Sequence, residues 1–390
     1  MDFSLTEEQT MFRDLFRDFA EKEIAKTAEH TDRSEEPPLD LFKKAAAQGF
    51  FGGPIPESYG GVGVDWLSYT LLAEEFGKQC LSTALTIGLH TSLVALSILE
   101  AGSEEQKQKY LPSLATGEKI GAFALTEPES GSDSSSLMTT ATKVEGGYRL
   151  NGTKTWVTNG GLGGLTLVFA ALSPKASTAF ILENQTPGLT LGYRERTLGL
   201  RGLDIRTIYL ENVFVTESNR LGEENGGRAI AESANDRLRL TLAAVALGAA
   251  EASLALGVTF AAERKQFGTQ IAHKQAIQNY VAEVAVEIEA LRGLVRQAAW
   301  LADSLGRGDR APTDFSRAAT IAKYHGARTA KEAANKMLQV HGGYGFSDDY
   351  AISRYYRDVR ALRILGGSDE LQKPDIARAP FADKGLAIQI

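Results

Sequence analysis

The polar and apolar positions divide the chain into three textures. Thr6-Glu7-Glu8-Gln9 has the form of a capping box, and Phe12, Leu15, Phe16 and Phe19 follow at spacings that share one helical face. Residues 40–48, 67–76, 83–101 and 104–114 continue the helical pattern, interrupted by the Gly/Pro-rich stretch 49–63. From residue 121 short β-type runs take over (148–150, 165–171, 208–215), separated by Gly-Gly, Asn-Gly and Pro-Gly turns. After Gly226-Gly227 the helical period returns. Ile277, Val281, Val284, Ile288, Leu291 and Val295 form a long stripe, with Glu283, Glu287, Arg292 and Arg296 off it. The pattern predicts a helical segment 1–120, a β unit 121–226 and a helical bundle 227–390, packed as one body without repeats or low-complexity linkers.

Composition narrows the function classes. At 390 residues, 43% hydrophobic and 23% charged, the chain is ordinary globular material. A net charge of −7 and scattered basic residues argue against neutralisation of a nucleic-acid backbone. Cys80 is the lone cysteine, so a disulfide framework or thiolate zinc site is excluded and a reducing compartment is expected. Met1-Asp2-Phe3-Ser4 lacks the charged and apolar regions of a secretory signal, which points to the cytoplasm. Residues 240–262 are apolar enough to suggest a membrane span, but the Ala-rich run with Glu251, Gly248 and Gly257 reads better as a buried core helix.

No P-loop, HExxH, GxSxG or strand-to-helix GxGxxG is present, and His30, His90, His273, His325 and His341 are too dispersed to suggest a triad. What stands out is a set of longer segments in order: Ala124-Leu125-Thr126-Glu127-Pro128-Glu129-Ser130-Gly131-Ser132-Asp133, then residues 151–160 (NGTKTWVTNG), 263–268 (ERKQFG), 339–346 (QVHGGYGF) and 356–360 (YRDVR). Together they resemble the acyl-CoA dehydrogenase family of flavoproteins, over nearly the whole chain.

The resemblance implies an N-terminal α-helical domain, a β-barrel-like middle domain and a C-terminal four-helix bundle, mainly α overall. It further implies a homotetramer holding one FAD per subunit, an acyl-CoA or acyl-carrier thioester as substrate and an electron-transfer flavoprotein as partner. By this likeness Thr126 and Thr158 bond the flavin edge and Trp156 packs on its ring. Arg264, Phe267 and Gln275 meet the FAD of a neighbouring subunit, where a guanidinium fork suits a pyrophosphate. Gln339, Gly342 and Gly343 form a loop close to the dinucleotide, and Ser368 and Glu370 face it. Ser132 matches a serine on the flavin and pantetheine side; Asp236, Arg239 and Gly367 match positions beside the acyl-CoA.

One departure dominates. The family reaction needs a polarised thioester carbonyl, a carboxylate to take the α-proton and flavin N5 to accept the β-hydride. Gly366 stands where most members carry that glutamate, and Leu238 occupies the alternative base position. The backbone N–H of Gly366 is still available to a thioester carbonyl. The base has therefore moved, with Asp369, Glu370, His90 and Glu129 as candidates, or the reaction is a non-oxidative elimination of the desulfinase kind, or the chain binds flavin and thioester without turnover. Ala84, where an arginine would hold a distal anion, favours a neutral, fairly apolar acyl group. Flavin monooxygenases of the same likeness also lack the glutamate, but the retained CoA-side residues make them less attractive. Leu203 and Ile205 replace the Ser and Thr usual in their loop. Overall the reading is a flavin oxidoreductase acting on an acyl thioester, of uncertain specific reaction.

Overall fold

A computed structural model describes residues 4–133, 136–306, 311–382 and 384. The first segment is helical: α1 (Glu7–Phe19), α2 (Ala25–Ser34), α3 (Leu39–Ala47), α4 (Trp66–Gln79), α5 (Leu81–Leu89), α6 (Leu96–Ala101) and α7 (Glu104–Ala115). Thr6 caps α1 as its sequence predicts, its hydroxyl accepting from the Gln9 N–H at 3.1 Å while the Gln9 side chain accepts from the Thr6 N–H at 3.0 Å. The buried face of α1 is narrower than expected: Phe16 and Phe19 are buried, whereas Leu15 is exposed. Phe16, Phe19, Phe50 and Phe76 interlock at ring separations of 5.5, 5.0, 5.7 and 5.4 Å. Each such pair contributes about 0.5–1.5 kcal/mol beyond area burial.

The middle segment is one eight-stranded sheet of β1 (Gly121–Ala124), β2 (Thr140–Val144), β3 (Gly147–Thr158), β4 (Leu165–Ser173), β5 (Ala176–Glu183), β6 (Leu189–Arg194), β7 (Ile205–Thr216) and β8 (Arg220–Leu221). The order runs β6-β7-β3-β2-β4-β5-β8, with β1 parallel to β4. Its second core, built on Tyr148, Leu150, Val168, Phe180, Ile208 and Val213, lies apart from the main helical core. Strands β3 and β7 are each longer than the short apolar runs that mark them, because antiparallel pairing from Gly147↔Thr216 to Thr158↔Ile205 carries polar residues along.

The last segment packs α8 (Gly227–Glu263), α9 (Gln275–Gly306) and α10 (Pro312–His341) against one another, with a two-stranded hairpin β9 (Lys265–Gln266) and β10 (Thr269–Gln270) between α8 and α9. Short α11 (Ala351–Asp358) and α12 (Asp369–Ala382) close against α10. The apolar stripe of α9 is buried from Val284 onward, and Ile277 and Val281 stay half-buried at its entry.

Helix α8 is a core helix, as its composition indicates, and its small residues let α4 lie directly against it. A Cβ on Gly248 would sit 2.1 Å from the Glu74 carbonyl oxygen, and one on Gly77 would sit 2.8 Å from that of Val245. The shorter run Leu81–Ala101 is also apolar, and it is buried up to Ile98. It is one continuous helical rod interrupted by a π-helical turn at His90–Ala95, a distortion that periodicity alone does not reveal.

Candidate active site

Three places in the fold carry the predicted site residues. The first is the turn after β1. Thr126 presents its carbonyl to the Thr155 N–H at 2.9 Å, tying the turn to β3. Beneath it lies a fully buried ion pair, Lys154 Nζ to Glu127 Oε1 at 2.7 Å. Lys154 also donates to the Leu125 carbonyl at 3.0 Å, and Glu127 accepts the N–H groups of Met138 and Thr139 at 2.5 and 2.9 Å. Burial drives the Lys154 ammonium down to about 8 against the pull of Glu127. Burial opposes ionisation of Glu127, but the hydrogen bonds from Lys154, Thr139 and Met138 prevail and hold its carboxyl below the ordinary range. Sequence reading passed over this pair, though Lys154 and Glu127 both sit inside the motifs.

Strand β3 breaks register with β7 between Lys154 and Val157, and in that bulge Trp156 takes a left-handed φ of 58°. A bulky residue there is strained; the indole is 59% exposed, while Thr158 two residues on is buried. Ser132 lies exposed at the far end of the Thr126 turn.

The second place is a cleft of about 980 Å³ at the other end of the chain, lined by Phe260, Arg264, Gln266, His341, Gly342 and Gly343 among others. None of its lining residues comes from the eight-stranded sheet. The Arg264 guanidinium lies 5.3 Å from the Tyr344 ring centroid. Phe267 stands at the tip of the β9–β10 hairpin at φ 54°, 92% exposed, with Gln275 and Gln339 also at the surface. Cβ atoms on Gly342 and Gly343 would meet nothing within 4 Å, so the loop is open to an occupant of dinucleotide size. An exposed arginine over an open, glycine-floored cleft fits a pyrophosphate-bearing cofactor.

The third place is the turn Gly366-Gly367 before α12. Both residues have left-handed φ, 68° and 99°. Arg239 Nε donates to the Gly366 carbonyl at 3.1 Å and Lys323 Nζ to the Gly367 carbonyl at 2.6 Å. Arg239 is held in turn by Asp236 Oδ1 at 2.9 Å and Thr320 Oγ1 at 3.0 Å. Asp236 and Arg239, predicted to lie beside a ligand, are thus engaged with each other, and Arg239 grips the turn itself. Lys323 carried no motif signal and was missed. Among the described residues the N–H groups of Gly366, Gly367 and Ser368 donate to no protein acceptor.

The candidate bases are accounted for. A Cβ on Gly366 would point at Leu242 Cδ1, 2.9 Å away, with Leu238 Cδ2 and Arg239 Cγ each at 3.7 Å. Asp369 is buried and bonded to Arg363 Nε at 2.6 Å. Glu370 and Glu129 are exposed. Hydrogen bonds in the first turn of α12 hold the Glu370 carboxyl below the usual range. His90 is fully buried on Phe51, and its Nδ1 accepts the Gly121 N–H at 2.8 Å, which fixes the neutral tautomer with its proton on Nε2. Burial drives its pKa down to about 4. The expectation that His90 could take the α-proton is therefore corrected: its only lone pair is engaged in structure. Among the described residues no cluster of His, Cys, Asp or Glu could hold a metal.

The chain thus runs helical–sheet–helical, with an exposed tryptophan at left-handed φ toward the end of β3 and an open, glycine-floored cleft on the bundle. Models of the acyl-CoA dehydrogenase N-terminal, middle and C-terminal domains match residues 6–118, 122–213 and 225–380. The chain is 42% identical over 378 residues to an acyl-CoA dehydrogenase of Bacillus subtilis, covering 96% of this chain and 98% of that one. It superposes with a TM-score of 0.94 and 39% identity on a chain from a structure described as the electron transferring flavoprotein of Acidaminococcus fermentans, covering 97% and 99%. It also superposes on an acyl-CoA dehydrogenase of Bacillus anthracis complexed with FAD, with a TM-score of 0.92 and 32% identity, covering 98% of this chain and 69% of the other. The chain belongs to the acyl-CoA dehydrogenase family, and its cofactor is FAD.

Proposed function

We propose that this chain acts on the α,β carbon–carbon bond of a neutral acyl thioester as a homotetramer in the cytoplasm, exchanging electrons with an electron-transfer flavoprotein. The carrying observation is the Gly366-Gly367 turn, whose carbonyls are clamped from behind while its N–H groups are left without protein acceptors. In this reading the Gly366 N–H receives the thioester oxygen, and Gly367, Asp236, Arg239 and Ser132 lie along the acyl-CoA. Thr126, Trp156, Thr158, Ser368 and Glu370 hold one end of FAD. A second copy brings Arg264, Phe267, Gln275, Gln339, Gly342 and Gly343 to the other end. The cleft that contains Arg264, Gly342 and Gly343 includes none of Thr126, Trp156 and Thr158 in its lining, which supports that division. FAD supplies the two-electron acceptor.

Mechanism follows from what the residues can and cannot do. A hydrogen bond to the thioester oxygen stabilises the enolate formed when the α-proton leaves. Leu238, Leu242 and the aliphatic part of Arg239 are the groups nearest the place of the missing side chain, and none of them can take a proton. Neither Gly366 nor Leu238 then offers a carboxylate to the α-proton, and a general base normally contributes about 10²–10⁴-fold. Turnover of simple saturated acyl-CoAs is accordingly slow. Ala84, buried in α5, offers no charge to a distal anion, which supports a neutral acyl group.

The same absence favours a second reading, in which thioester is bound and released without net oxidation. Anaerobic mixing of the FAD-loaded protein with acyl-CoAs of graded length and branching separates the two. Bleaching of the flavin band with enoyl product supports oxidation. A changed acyl group with no bleaching supports elimination, and a perturbed spectrum with intact thioester supports a binding role.

A further inference from the structure

Lys323, in the middle of α10, is 1% exposed and forms no ion pair among the described residues. Its one hydrogen-bond acceptor is the Gly367 carbonyl. A buried ammonium normally takes a carboxylate partner, because the cost of leaving water must be offset. The nearest anion, Asp369, is bonded to Arg363, and Arg239 beside it is bonded to Asp236. Lys323 therefore spends a desolvated cation on a peptide carbonyl.

The turn it grips is unusually free to move: two consecutive glycines, both left-handed, give the backbone many alternatives. Three donors converge on their carbonyls. Arg239 Nε and Gln372 Nε2 reach the Gly366 oxygen at 3.1 and 3.4 Å, and Lys323 Nζ reaches the Gly367 oxygen at 2.6 Å. Anchoring both carbonyls fixes the planes of the following peptides, so the Gly367 and Ser368 N–H groups point away from the cations. It also sets the backbone beside the Gly366 N–H. Charge-assisted hydrogen bonds are roughly twice as strong as neutral ones and polarise the amides they reach.

We infer that Lys323 is a positioning residue for the thioester-binding turn: through the Gly367 carbonyl it fixes the Gly367–Ser368 peptide plane and so holds in place the turn whose Gly366 N–H meets an acyl carbonyl. This rests on the reading that the turn binds a thioester. Lys323 reaches the turn through the Gly367 carbonyl, so in this reading its loss is felt at the acyl carbonyl and not by the rest of the CoA. The charges facing Lys323 are Asp369 and Glu370 on α12, Arg239 on α8, and Arg363 in the segment between α11 and α12. Burial pushes the amine down to about 8, with Arg239 and Arg363 adding to the shift and Asp369 and Glu370 opposing it. The clamp thus weakens from a charged to a neutral donor within an accessible pH range.

The test compares butyryl-CoA, labelled with ¹³C at the carbonyl, against free CoA on the FAD-loaded protein. Isotope-edited infrared spectra of bound butyryl-CoA report polarisation of the carbonyl, and titration gives both affinities. In Lys323→Met the carbonyl band is expected to return toward its position in water and butyryl-CoA to bind about tenfold more weakly. Free CoA, lacking the acyl carbonyl, binds as before, and Lys323→Arg retains most of the band shift. An unchanged band and affinity ratio in Lys323→Met overturns the inference. If that variant fails to hold FAD, the wild-type ratio of butyryl-CoA to CoA affinity carries the test. A decline as pH rises through 8 supports the clamp, and a flat profile overturns it. Failure of the wild-type protein to bind either ligand would instead sink the thioester reading itself.

Discussion

Replacing Gly366 by glutamate puts a carboxylate at the position of the missing base, and the structure sets what that costs. At φ 68° a residue with a Cβ is strained by about 1–3 kcal/mol. Its Cβ would lie 2.9 Å from Leu242 Cδ1 in a wall that is almost fully buried, adding about 1–3 kcal/mol of overpacking. Gly366→Glu alone should therefore lose about 2–6 kcal/mol and reduce flavin poorly. Leu242→Ala removes the offending methyl at its own cost of about 2–5 kcal/mol, but the pair should be less damaging than the sum by about 1–3 kcal/mol. The assay is denaturant unfolding of the four FAD-loaded proteins in a double-mutant cycle, with anaerobic flavin bleaching by butyryl-CoA alongside. The double variant should bleach at least about 100-fold faster than the starting protein. A Gly366→Glu protein as stable as its parent, or a cycle with no coupling, would refute the argument from backbone strain and the leucine wall.

Other outcomes are equally checkable. Leu238→Glu puts a carboxylate on a helix with ordinary φ, its side chain adjoining the place of the missing group, so it should restore bleaching better than Gly366→Glu does. Lys154→Met leaves Glu127 buried without its cation, and FAD-loaded protein should lose about 3–5 kcal/mol by the same unfolding assay and release flavin on dialysis; Lys154→Met/Glu127→Gln should recover part of it. His90 and Glu74 oppose each other in acid. His90, lowered to about 4, contributes stability that is full above its unfolded value near 6.5 and fades as pH falls toward 4. Glu74, pushed up to about 7 by burial and by Glu251, contributes stability present below about 4.5 and lost as pH rises through 7. Asp358, pushed up to about 6 by burial, acts in the same sense as Glu74, so Glu74→Gln should lose stability toward acid relative to its parent, measured by unfolding at stepped pH. Finally, mixing a Trp156→Ala chain with an Arg264→Ala chain should regenerate a share of intact FAD sites by subunit exchange; no recovery in flavin content would count against a site shared between copies.

The helical and β textures were legible because each follows from periodicity: the Thr6 box, the α9 stripe from Val284 and the Ala-rich α8 behave as their spacing dictates. Long-range determinants were not. Leu15 fails to join its predicted face because the elements around α1 cover only Phe16 and Phe19. Neither the π-turn at His90 nor the bulge at Trp156 has a period to betray it. At the site, the absence of a carboxylate at Gly366 and Leu238 was visible residue by residue. That His90 is locked by Gly121, that Asp369 belongs to Arg363 and that Lys323 reaches the turn are relations between residues far apart in the chain or folded back by a turn, which no local pattern encodes.

The left-handed glycine at 366 also bears on how this chain can change. With glycine at left-handed φ and Leu242 against the place of its Cβ, the turn does not accept an acidic side chain in one neutral step. The first such substitution is penalised before any catalytic benefit arrives. The site behaves as a mutational ratchet, with selection more readily finding a new proton acceptor on α8 than rebuilding one in the turn.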